Sequence, residues 1–66
     1  MSELNQAQRE ALLASANKHE AAAKEIRASS QLLNEAGYTI YADKLREVVT
    51  QMISHVDHAR ELARKQ

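Results

Sequence analysis

Gly37 is the only strong helix breaker in this chain, which has no proline at all. The residues on either side are rich in Ala, Leu, Glu, Lys, Gln and Arg, the best helix formers. A strand-rich fold would need turn residues at short intervals between β-branched and aromatic runs, whereas the only aromatics here are Tyr38 and Tyr41. The chain therefore reads as all-α. Gly37 stands where a left-handed residue would close the first helix. Ser2 or Asn5 can cap the start of that helix, and Gln8, three residues after Asn5, would complete a capping box. Thr39 is the expected cap of the second helix. Asp43 and Glu47 come early in it and Arg60, Arg64 and Lys65 late, as the helix dipole favours. The expected organisation is one domain over residues 1–66, with a helix at about 4–36, a turn at 37–39 and a helix at about 40–64.

Both halves carry a stripe at alternating three- and four-residue steps. In the first it runs through Leu12, Ala16, His19, Ala23, Ile26, Ser30 and Leu33. In the second it runs through Tyr38, Ala42, Leu45, Val49, Met52, Val56, Ala59 and Ala63. Folding the chain at Gly37 sets Leu33 against Ala42, Ser30 against Leu45, Ile26 against Val49 and Ala23 against Met52. The same register sets His19 against Val56, Ala16 against Ala59 and Leu12 against Ala63. It serves both stripes without a break, and most layers match a small residue to a larger one. Such pairing suits an antiparallel helical hairpin packed in coiled-coil fashion.

The flanks of this seam differ. On one side Tyr41, Val48, His55 and Leu62 of the second helix lie beside the small Ser15, Ala22, Ser29 and Ala36 of the first. On the other, Leu13, Glu20, Arg27 and Asn34 face Arg46, Ile53 and Arg60, a mostly polar border. Ordering costs about 1.5 kcal/mol per residue, and a single seam of mainly Ala and Ser returns little of it. The apolar flank is thus expected to be covered, most simply by a second copy in a two-fold four-helix bundle. The expected oligomer interface comprises Tyr41, Val48, His55, Leu62, Ala22 and Ser29.

Little in the chain points to chemistry. With no cysteine there is no disulfide framework, thiol nucleophile or cysteine zinc site. Nine basic and nine acidic side chains cancel, which leaves no electrostatic footprint for nucleic acid or an anionic membrane. Apolar runs fall far short of the roughly 20 residues a membrane span needs. Ser15, Ser29, Ser30 and Ser54 sit in helical columns outside any nucleophile elbow, and no glycine-rich phosphate loop is present. The charge pairs Glu20–Lys24, Asp43–Arg46 and Glu61–Lys65 have the spacing of ordinary solvated helix pairs. Three histidines are the first candidates for a metal. His19 is expected inside the seam, His55 across from it and His58 one turn on, but neither a Glu-x-x-His nor a His-Glu-x-x-His pattern surrounds them. No metal and no cofactor is assigned.

Around the turn, Tyr38, Ile40, Tyr41 and Lys44 form a candidate contact for a partner or a nucleotide-like ligand. The expectation from sequence is a small cytoplasmic, non-enzymatic homo-oligomer that binds another protein as a regulator, inhibitor or adaptor. The alternatives are an oligomer that binds a nucleotide-like ligand or RNA near the tip, and a histidine-based metal bundle.

Overall fold

The structure, a computed structural model, describes residues 5–65. Two helices, α1 (Gln6–Glu35) and α2 (Thr39–Lys65), pack against each other as an antiparallel hairpin. The molecule measures 51 × 17 × 11 Å, so it is long and only one layer thick. Asn5 caps α1. Its side-chain oxygen accepts from the Gln8 N–H at 2.8 Å, while Gln8 Oε1 accepts from the Asn5 N–H at 3.0 Å, so the capping box is complete. Ser2, the other candidate cap, lies outside the described residues.

The reversal between the helices is made by Gly37, whose φ of +93° belongs to the left-handed region. The Gly37 N–H donates to the Asn34 carbonyl (3.1 Å) and the Tyr38 N–H to the Leu33 carbonyl (2.8 Å). These two bonds form a Schellman motif and satisfy carbonyls that the end of α1 would otherwise leave open. Thr39 is not the cap of α2. The Tyr38 carbonyl already accepts the first helical bond, from the Ala42 N–H at 3.0 Å, and Thr39 is the first residue of the helix. The chain needs only residues 36–38 to turn, so α2 starts one position earlier than its capping residue suggested.

The seam follows the heptad stripe with a consistent bias. Ala16, Ala23 and Ser30 of α1 are buried, and so are Ala42, Val49, Val56 and Ala63 of α2, each set spaced by seven. The alternate positions Leu12, Ile26, Leu33, Leu45, Met52 and Ala59 are only half-buried. Two stripe positions are exposed instead of inside. Tyr38 lies in the turn ahead of α2 and so falls off the stripe. His19 turns its ring outward, with Nδ1 3.0 Å from the Ser15 carbonyl and 3.4 Å from Ser15 Oγ. A carbonyl oxygen only accepts, so Nδ1 carries the hydrogen and donates it one turn back. Inside the seam the imidazole would have lost water without gaining a partner.

Polar contacts tie the helices together. Ser30 Oγ donates to the Ala42 carbonyl at 2.8 Å in the buried seam. Arg60 crosses to α1, donating to both carboxylate oxygens of Glu20 (3.0 and 3.4 Å) and to Asn17 (3.1 Å). Glu20 thus bonds across the hairpin, not to Lys24, because the Arg60 guanidinium offers a two-pronged fit that a single ammonium does not. Glu61 bonds to Arg64, not to Lys65, one turn along the same helix. The Asp43–Arg46 pair is present at 3.1 Å.

Candidate interaction surfaces

The bias of the seam leaves one face of the hairpin open. On the border bridged by Glu20 and Arg60, Ile53 and Arg60 are half-buried and the remaining positions are mostly polar, with Leu13 41% exposed. On the opposite border the half-buried Leu12, Ile26, Leu33, Leu45 and Met52 are continuous with more exposed apolar groups of α2. Val48 remains 41% exposed, Leu62 39% and Tyr41 65%. The small residues beside them do little to cover them, with Ala22 half-buried and Ser15 and Ser29 exposed. At one level Leu62 lines a shallow recess with Gln8, Ala11, Leu12 and Ser15, which sets the large column of α2 next to the small column of α1. His19 and His55, both exposed, are the polar interruptions of this face.

The total surface is also large for a chain of this mass. It exposes 5193 Å². A folded monomer of its mass, 7.4 kDa, ordinarily exposes about 4200 Å². The excess is therefore about 1000 Å², and among the described residues the only buried side chains larger than Ala are Val49, Val56 and Ser30.

The second surface is the tip. Tyr38 and Tyr41 meet edge to face, with centroids 6.5 Å apart and planes at 63°. Together with Gly37, Thr39, Ile40 and Lys44 they line an open recess. Ile40 is 74% exposed, and Tyr38 is more than half exposed. On the outer side of α1, Leu32 is also largely exposed. Sequence reading missed it because it lies outside the stripe and both of its flanks.

The histidines do not converge. Among the described residues, no three of His, Asp and Glu lie together in a way that could hold a metal ion. His58 lines a shallow cleft with Leu13, Asp57, Arg60, Glu61 and Arg64, where Glu61 is already matched by Arg64. Hydrogen bonding and the charge of Arg60 hold the Glu20 carboxyl below its ordinary value near 4.5, and Arg64 does the same for Glu61. These are structural ion pairs at the rim of the hairpin. Among the described residues, no helix is long and apolar enough to cross a membrane.

Taken together, the fold and its surfaces define a two-helix antiparallel hairpin with one mostly polar border, one open apolar face and an aromatic tip. No family model, no curated protein and no solved structure matches the chain.

Proposed function

We propose that this chain is a small, non-enzymatic helical protein of the cytoplasm that works by protein–protein association. It acts as a homo-oligomer, with its hairpins joined in a four-helix bundle, and serves as a regulator, inhibitor or adaptor for another protein. The observation that carries this reading is the open face built on Val48, Leu62 and the half-buried Leu12, Ile26, Leu33, Leu45 and Met52. Isolated apolar residues on a surface are ordinary, but a contiguous face of this length on a molecule with so small a core is the mark of a binding surface. Analytical ultracentrifugation over a dilution series tests it. The parent is expected to sediment as a dimer or larger at micromolar concentration. A folded monomer at that concentration would remove the homo-oligomer from the reading.

A second reading has its own observation. The Tyr38–Tyr41 pair and Lys44 surround an open recess, an arrangement that can stack a planar ring and offer a cation to a phosphate. In this reading the tip binds a nucleotide-like ligand or RNA. Thermal melts with and without a panel of nucleotides test it, since a ligand bound only by the folded chain raises the melting temperature. An unchanged melt across the panel removes the nucleotide reading.

A further inference from the structure

We infer that the open apolar face is covered by a second copy of this chain, related by a two-fold axis parallel to the helices, so that both hairpin tips lie at the same end of the bundle. This rests on the self-association proposed above and adds the arrangement. The first argument is area. The chain exposes about 1000 Å² more than a compact monomer of its mass, close to the roughly 800 Å² each partner buries in an interface of standard size. An interface of standard size with one further copy would bury about that much.

The second argument is shape. The large column of the face is entirely on α2 (Tyr41, Val48, His55, Leu62) and the small column entirely on α1 (Ser15, Ala22, Ser29, Ala36). Leu62 shares a recess with Ser15, and the heptad spacing of both columns carries that neighbourhood along the face to His55 and Ala22, Val48 and Ser29, and Tyr41 and Ala36. A two-fold axis along the hairpin keeps each level and exchanges the columns. The large column of each copy then faces the small column of the other along its whole length. A two-fold axis across the hairpin would instead stack α2 on α2, large on large, and α1 on α1, small on small. That leaves a wedge open along one side, which close-packed interiors do not tolerate.

The arrangement has a functional consequence. It places two sets of Tyr38, Ile40 and Lys44 side by side at one end, so whatever binds the tip meets them as a two-fold symmetric pair.

Because the chain has no cysteine, one introduced cysteine gives a single labelling position. Nitroxide-labelled Ile40→Cys, at a position that is 74% exposed at the tip, and Glu10→Cys, on the exposed surface at the other end, are measured separately by pulsed electron paramagnetic resonance. Each is sedimented in parallel. With helices spaced 8–10 Å apart, the proposed arrangement puts like labels within about 35 Å at both positions. The crossed arrangement separates the Ile40 labels by about the 51 Å length of the hairpin and the Glu10 labels, which stand in from the far end, by about 40 Å. Short distances in a sedimenting dimer support the inference. Long distances in a dimer overturn the arrangement and leave self-association standing, and a folded monomer overturns both. If one variant fails to fold, the other reads the same geometry from the opposite end.

Discussion

At Gly37 an added Cβ would meet nothing within 4 Å, yet the residue holds φ at +93°. The cost of a side chain there is therefore backbone strain alone. Gly37→Val is expected to lower stability by about 1–2 kcal/mol in urea unfolding, with helix content retained. An unchanged midpoint would mean that the turn does not depend on the left-handed residue. Ser30 makes a different case. Its side chain is 1% exposed, and its hydroxyl donates to the Ala42 carbonyl, which keeps its own place in α2. Ser30→Ala removes the donor without leaving a buried orphan, so a loss of about 0.5–1.5 kcal/mol is expected from the same measurement. The stripe identified Ser30 as a small seam residue. Its hydrogen bond was not legible, because a hydroxyl's partner depends on how closely the second helix approaches.

Each helix is a periodic stripe whose two borders differ, and the Glu20–Arg60 bridge lies on the more polar one. Arg60 lowers the Glu20 pKa, first by hydrogen bonding and then by its charge. A carboxyl whose pKa is depressed on folding contributes its stability fully above the unfolded value near 4.5 and loses it as pH falls through the folded one. Glu61, lowered by Arg64, has the same sign. The melting temperature of the parent is thus expected to fall between about pH 5 and pH 2. Glu20→Gln should melt below the parent at pH 7, and the difference should shrink as the pH drops through that window. Exposed pairs contribute modestly, so the gap will be a few degrees at most. An equal gap at all pH values would show that the ion pair does not form in solution. The expectation of Glu20–Lys24 came from spacing within one helix. Only the neighbouring helix could supply the better partner.

For the whole molecule, the slender seam and the open face make stability and association one problem. Val48 sits near the middle of the large column and is still 41% exposed in the hairpin. In the proposed dimer Val48→Asp would place an unpaired carboxylate in the interface, a cost of at least about 3 kcal/mol, which corresponds to more than a 100-fold loss of dimer affinity. Circular dichroism melts over a dilution series check this. The parent's melting temperature should rise with concentration, while the variant should melt lower and independently of concentration. Equal melting of both proteins at all concentrations would place the interface elsewhere.

The sequence by itself determined the helices, the capping box at Asn5, the turn at Gly37, most of the seam and the contrast between its borders. These follow from interactions between residues three, four or seven positions apart and from one residue's freedom at positive φ, so they are local and periodic. The tertiary structure decided how far each helix is rolled about its own axis. That roll buries Ala16, Ala23, Val49 and Val56 fully while leaving Ile26, Leu45 and Met52 half open. It also gives Arg60 a partner on α1. His19 was settled by a different contest. Its stripe position favoured the seam, but water and the Ser15 carbonyl offered its ring more than an apolar layer could, and a polar group goes where its hydrogen bonds are met.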